Sequence, residues 1–171
     1  MICIKRVLTL CVFTLWPLMT LAQTCQTANI AATTPSNRFT MNKDGTVSDT
    51  KTGLIWKKCS EGQSGANCDS GNATTYSWQG ALQQAQSVNN VGFAGYKNWR
   101  LPNIKELNSI IEEMCDSPSI NLEVFPNTQI SRYWTSSAYS NSVNNAWRVN
   151  FSYGSSYNDN KDYDYYIRLV R

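Results

Sequence analysis

Four cysteines, Cys25, Cys59, Cys68 and Cys115, follow a segment with the order of an export signal, and this combination constrains the fold more than any other feature of the sequence. Lys5 and Arg6 precede an almost wholly apolar stretch from Val7 to Leu15, which continues past Pro17 to Leu21. Thr20-Leu21-Ala22 then places a small residue where a signal peptidase would cut. A membrane anchor needs about 20 consecutive apolar residues, and this run is shorter and broken by Pro17. Residues 1–22 are therefore expected to be a cleaved signal peptide, leaving no transmembrane anchor. Residues 23–38 read as an extended arm and 39–171 as one domain. The expected location is secreted, periplasmic or at the cell surface.

An even cysteine count in an exported chain implies two disulfides, with three possible pairings. We favour Cys59–Cys68, which closes the short loop from Ser60 to Asn67, and this leaves Cys25–Cys115, tying the arm to the end of a helix. Loop entropy makes the short bridge worth about 2.5–3 kcal/mol and the long one about 4.5 kcal/mol. The chain has no Cys-x-x-Cys and no histidine, so neither a zinc site nor an activated thiol is expected.

The absence of histidine also excludes a Ser-His-Asp triad and a Cys-His pair. The net charge of +3 falls to +1 once Lys5 and Arg6 are removed, because 13 basic residues then face 12 acidic ones. A nucleic-acid binder should carry a basic stripe. Here Lys57-Lys58 is the only basic doublet beyond the signal, so no nucleic-acid partner is expected.

Arg38 to Met41 and Thr46 to Asp49 read as a hairpin around Asn42-Lys43-Asp44-Gly45, with Asp-Gly supplying the positive-φ position. Leu54-Ile55-Trp56 is a third strand. Trp78, Ala81, Leu82, Ala85 and Val88 recur at helical spacing, with Ser77 as a good cap and Asn89-Asn90 as the end. A second helix opens at Asn103 after Pro102, with Glu106 three residues on as its capping-box partner. Ile104, Leu107, Ile110, Ile111 and Met114 form its expected buried face, and Glu106, Glu112 and Glu113 its expected solvated one. Strands are expected at Tyr133 to Ser137, Ala146 to Phe151 and Tyr165 to Arg171. Helices in the first half and antiparallel strands in the second define an α+β domain.

Several stretches together resemble one family. They are Asp49 to Trp56, then Trp99-Arg100-Leu101-Pro102-Asn103-Ile104-Lys105-Glu106-Leu107, then Phe125-Pro126, Tyr133 to Ser137, Ala146 to Phe151 and Arg168 to Arg171. They resemble the Lcl C-terminal domain family, named after a bacterial collagen-like adhesin, from about Phe39 to Arg171. The resemblance implies a C-type-lectin-like fold, with two helices packed on small antiparallel sheets and the N- and C-terminal strands paired. It also implies an exported bacterial protein; the named member is linked to sulfated polysaccharides and surfaces. Trp56, Trp99, Trp134 and Trp147 are bulky enough to be the main layers of the core, and Arg100 is expected to hold a carboxylate such as Glu106.

The chemistries known on that fold find little here. Sugar-binding C-type lectins use calcium held by Glu-Pro-Asn and Trp-Asn-Asp stretches; this chain has Phe125-Pro126-Asn127 and Trp147-Arg148 instead. Asn158, Asn160, Asp162 and Asp164 alternate as weak calcium ligands could, although Tyr163 stands where a calcium loop needs glycine. No other cofactor is expected. The tail is more informative. From Arg132 to Arg171, 23 of 40 residues are Tyr, Ser, Asn or Asp. Tyr supplies rigid amphipathic contact area, and Ser and Asn supply adaptable hydrogen bonds. We read a loop from Tyr153 to Tyr163 as the binding element, with Tyr153, Ser155, Tyr157, Asn158, Asp159 and Tyr163 as contact residues. The expectation is a non-catalytic, adhesin-like module for a glycan or a protein surface. The alternative is a structural or assembly component of the cell envelope or a surface appendage.

Overall fold

A computed structural model describes residues 23–171, and the expected signal peptide lies outside the described residues. In chain order the elements are β1 (Thr24–Cys25), a 3-10 turn (Ser36–Arg38), β2 (Phe39–Met41), β3 (Thr46–Asp49), β4 (Ile55–Lys57), β5 (Gln63–Ser64), β6 (Ser70–Gly71), β7 (Thr75–Tyr76), α1 (Trp78–Val91), α2 (Ile104–Asn108), β8 (Cys115–Asp116), β9 (Arg132–Ala138), β10 (Asn145–Asn150), β11 (Ser155–Asn160) and β12 (Tyr165–Tyr166). The sheets run β2-β3-β4, β11-β10-β9-β12-β7, β1-β8 and β5-β6. All pairings are antiparallel except β12 with β9. The described chain is thus an α+β domain with two helices, small antiparallel and mixed sheets, and the disulfides Cys25–Cys115 and Cys59–Cys68.

The C-terminal segment joins the sheets. Ile55 and Arg171 exchange backbone hydrogen bonds, and Lys57 N–H donates to the Leu169 carbonyl. Val170 bridges both Trp56 and Arg100. The strand expected over Tyr165 to Arg171 is thus β12 at Tyr165–Tyr166 followed by a bridged segment, and it is this segment that pairs with β4.

Period-2 alternation puts core on both faces of the five-stranded sheet. Tyr133 and Val149 face one cluster with Trp56, Leu107, Phe125 and Phe151. Trp134, Ala146 and Tyr165 face another with Ala81, Ala85, Trp99 and Leu101. Three of the four tryptophans expected in the core are fully buried. Trp147 is only half-buried, and it meets the Tyr139 ring edge-on at 5.4 Å.

The first helix has the expected cap: the Ser77 hydroxyl accepts from Gly80 N–H. The helix runs to Val91, two residues past Asn89. Asn89 turns inward instead, its amide donating to the Trp99 carbonyl and its oxygen accepting from Trp99 N–H, both at 2.7 Å. Leu82, expected on the buried face, is partly exposed.

The second helix is shorter than expected. Its capping box between Asn103 and Glu106 is complete, but it ends at Asn108. Ile110 and Ile111 remain buried on a tighter continuation, with Ile110 N–H bonding to Leu107 and Ile111 N–H to Asn108. Ile111 then bridges Ile120. Cys115 is therefore not at a helix end; it sits in β8, opposite Cys25 in β1. The cause is Glu112. We expected it on a solvated face, yet it is 1% exposed. Its carboxylate accepts from Thr33 and Thr34 N–H, from both threonine hydroxyls, and from Met114 N–H. A helix continuing through Glu112 could not hold the arm in this way.

Inside the loop closed by the short disulfide, Gly62 (φ +90°) runs so close to the segment after Cys68 that a Cβ there would lie 2.3 Å from the Asn72 carbonyl. Gly62→Ala is expected to cost about 1–3 kcal/mol from left-handed backbone strain alone. The check is a fall in thermal midpoint with the Cys59–Cys68 bridge intact.

Candidate functional site

The expected loop from Tyr153 to Tyr163 is mostly strand. β11 pairs with β10 over six residues, from Asn145↔Asn160 to Asn150↔Ser155, and forms one edge of the sheet. Polar side chains at every position hide a strand from hydrophobic periodicity, because no face of an edge strand must be apolar.

Alternation along β11 splits the predicted contact residues. Ser155, Tyr157 and Asp159 fall on one face. Asn158 falls on the other, where its carbonyl accepts from the Asn145 amide at 2.8 Å. Ser156 on that side donates to Asn108 Oδ1 at the end of α2. Tyr153, 76% exposed, lies in the preceding turn beside the N-terminal arm, in a recess it shares with Thr24, Gln26 and Met114. Tyr163 lies in the turn between β11 and β12.

α1 packs against β7 and β9, so it covers only part of the face that carries Trp134 and Ala146. The β10–β11 part of that face carries a connected aromatic–arginine strip. Arg148 Nε donates to Asp159 Oδ2 at 2.8 Å, and the Tyr165 hydroxyl donates to the same oxygen at 2.9 Å. The Arg148 guanidinium stands 5.3 Å from the Tyr157 ring centroid. Arg132 lies 5.5 Å from the Tyr165 centroid and donates to its hydroxyl. The Tyr163 ring is 6.3 Å from Tyr165. Tyr157 and Tyr163 are 58% and 55% exposed, so two aromatic rings stand clear around a shielded ion pair. Arg148 Nη1 is buried without a hydrogen-bond partner.

Burial, and then the Asp159 carboxylate it bonds to, raise the Tyr165 phenol above its ordinary value. Tyr165 therefore stays a neutral donor near pH 7. That donation holds Asp159 in place for Arg148, which in turn orients its guanidinium toward Tyr157. The strip combines ring faces, a held cation and hydroxyls.

Arg132, Arg148 and Tyr165 were not named as contact residues from sequence. Arg148 sits in the alternating stretch Ala146 to Phe151, but its neighbours across the sheet depend on strand order. Two of the expected weak calcium ligands are engaged elsewhere: Asn158 Oδ1 accepts from the Asn145 amide, and Asn160 Oδ1 accepts from Asp162 N–H. Among the described residues no three Cys, Asp or Glu side chains converge as a metal site.

Elsewhere the motif residues act as supports. Arg100 donates to both oxygens of Glu106 at 2.7 and 2.8 Å. Glu106 also accepts from Asn103 N–H in the capping box. The hydrogen bonds from Arg100 outweigh the opposing effect of burial and lower the Glu106 carboxyl below its ordinary value. Pro102 is buried just ahead of this cap.

The two disulfides are the chemistry of an extracytoplasmic protein. Among the described residues no helix is long and apolar enough to cross a membrane. A comparison with curated proteins finds no match. The description of the Lcl C-terminal domain matches residues 45–171. That span includes both helices, the whole five-stranded sheet and the aromatic–arginine strip, and leaves the arm outside it. On this match the chain belongs to the Lcl C-terminal domain family.

Proposed function

We propose that this domain is an exported, non-catalytic recognition module, released from the cell, held in the periplasm or displayed at the surface, which binds a glycan through the β10–β11 face. The observation that carries this reading is the pair of exposed rings, Tyr157 and Tyr163, set around the Arg148–Asp159 pair. Sugar rings offer apolar C–H faces to stack on aromatics and hydroxyls to pair with polar groups. Tyr is suited to both, with one apolar body and one polar tip. Arg148 Nη1, shielded and without a partner, is a donor that a ligand oxygen would satisfy.

A non-catalytic role agrees with the state of the acids. Glu106 is held by Arg100 and its cap, Glu112 by the arm, and Asp159 by Arg148 and Tyr165. Each of these three carboxylates therefore already serves a structural partner, Asp159 through its Oδ2.

The test is a glycan array probed with oxidised protein, with and without calcium, followed by titration of the best glycan. Two aromatic contacts at about 0.5–1.5 kcal/mol each predict a roughly 5- to 150-fold loss for the double variant Tyr157→Ala/Tyr163→Ala, with an unchanged thermal midpoint. Equal binding by the folded variant moves the site off this face. A blank array from folded protein turns the search to protein partners, and an intact assembly phenotype in the variant favours the structural-component reading.

A further inference from the structure

A cleft of about 520 Å³ opens elsewhere on the molecule, between the β2–β3 turn, the end of β4 and the short disulfide loop. Its size falls in the range of small-molecule sites. Lys43, Lys57, Lys58, Gln63 and Phe93 are among its lining residues. None belongs to the aromatic–arginine strip.

The walls are built before any ligand arrives. Phe93 packs edge-on against the buried Trp99 at 5.6 Å, and its carbonyl accepts from Trp99 Nε1 at 3.0 Å. Phe93 and Tyr96 also exchange two backbone hydrogen bonds of 3.0 Å. The hairpin turn is clamped across the cleft by Lys58 N–H donating to the Gly45 carbonyl at 3.0 Å. A Cβ at Gly45 would come 3.3 Å from Phe93 Cζ, so the turn and the ring already meet. The opposite wall is fastened by Cys59–Cys68.

The charges in this cleft are unequal. Lys57 is neutralised by Glu61 at 2.5 Å and lies 4.3 Å from the Phe93 centroid. Asp44 engages its own turn through one oxygen, Oδ1, which accepts from Thr46 N–H and hydroxyl at 3.0 and 2.7 Å. Among the described residues neither Lys43 nor Lys58 has a carboxylate within ion-pair distance. Lys58 Nζ donates only to the Ala66 carbonyl. Lys43 and Lys58 therefore share one concave surface with the Asp44 carboxylate, yet neither is within ion-pair distance of it. A second, independent observation is Gln63 Oε1, which is buried and accepts no hydrogen bond, while its amide nitrogen donates to the Asn127 carbonyl. A buried acceptor without a donor is an exception in folded proteins and invites one.

We propose that this cleft is a second binding site, for a small organic anion: a carboxylate on a flat apolar body that also carries a hydroxyl. The carboxylate pairs with Lys43 and Lys58, the body lies on Phe93, and the hydroxyl donates toward Gln63 Oε1. The apolar ring alone would accept many ligands; the two lysines and the orphaned acceptor select among them.

The test probe is 4-hydroxybenzoate, titrated into oxidised, 15N-labelled protein while amide shifts are followed. The expected result is a saturable set of shifts confined to residues 43–45, 57–66 and 93, with residues 155–165 unmoved. Removing the charge by using 4-hydroxybenzyl alcohol should weaken binding at least tenfold, and removing the hydroxyl by using benzoate should weaken it severalfold. Lys43→Gln/Lys58→Gln should weaken 4-hydroxybenzoate at least tenfold with no loss of folding. Raising salt from 20 to 500 mM should weaken it as well, since the ion pairs are near solvent. Absence of shifts at the cleft overturns the proposal. So does equal binding of the acid and the alcohol, or full affinity in the double lysine variant. Sodium acetate matching 4-hydroxybenzoate would overturn the aromatic part of the assignment. Because the Tyr157 face reports through different resonances, failure at the cleft leaves glycan binding there intact, and the reverse also holds.

Discussion

Arg168→Met is expected to destabilise the domain by about 3 kcal/mol or more, because hydrogen bonds from a charged donor are worth roughly 1.5–3 kcal/mol each and several are lost together. Arg168 is 0% exposed. Its guanidinium donates to the Lys57 and Lys58 carbonyls, to the Ser60 hydroxyl and to the Thr128 hydroxyl oxygen. It also lies 4.8 Å from the Phe125 ring centroid. One side chain thus ties the end of β4, the start of the disulfide loop and the segment before β9 to the chain segment after β12. Burial pulls its pKa down to about 10, so it remains charged near neutral pH. Methionine fills similar volume but removes the donor from the Lys57 and Lys58 carbonyls and from Thr128 Oγ1, while Ser60 Oγ keeps its bond with the Tyr133 hydroxyl. The measurement is chemical unfolding with both disulfides intact. A loss below about 1 kcal/mol would show that water or rearranged groups satisfy those oxygens.

Glu112→Ala is expected to cost about 3 kcal/mol or more, because hydrogen bonds to a charged group are worth roughly 1.5–3 kcal/mol each and several are lost together. The effect should be local as well as global. Thr33 and Thr34 amides, which donate to the carboxylate at 2.9 and 2.8 Å, should exchange with solvent much faster in the variant. Cys25–Cys115 would still tether the arm at its far end.

The same residue sets an acid limit. Burial by itself raises the Glu112 carboxyl, but the bonds from Thr33, Thr34 and Met114 outweigh it and leave the pKa below the ordinary 4.5. Asp49 behaves alike: burial raises it, and the bonds from Arg38, Thr52 and Lys51 bring it below 3.8. A carboxyl lowered in the folded state contributes stability that is complete above its unfolded pKa and is lost as pH falls through its folded pKa. Unfolding free energy should therefore be flat from neutrality to about pH 5 and decline below about pH 4. In Glu112→Gln that decline should be shallower. An identical acid limb in the variant would remove Glu112 from the cause.

Local chemistry alone determined much of this protein. The Asp44-Gly45 turn predicted its hairpin, Ser77 and Asn103 predicted both helix starts, and the spacing of Cys59 and Cys68 predicted the short bridge. Each depends on neighbours a few residues apart, so its signal is contained in a short stretch of sequence. Tertiary structure decided the rest. Glu112 resembled a solvated helical residue because its partners, Thr33 and Thr34, lie almost 80 residues away. The same pull ended α2 at Asn108 and made a strand of Cys115. β11 resembled a loop because an edge strand of Ser, Tyr, Asn and Asp shows no apolar alternation. Its pairing with β10 then separated Tyr157 and Asp159 from Asn158, and brought Arg132, Arg148 and Tyr165 beside them. Composition identified the segment rich in contact residues. Which of them share a face was settled by strand order and by the two-residue period of the backbone, neither of which can be read from composition.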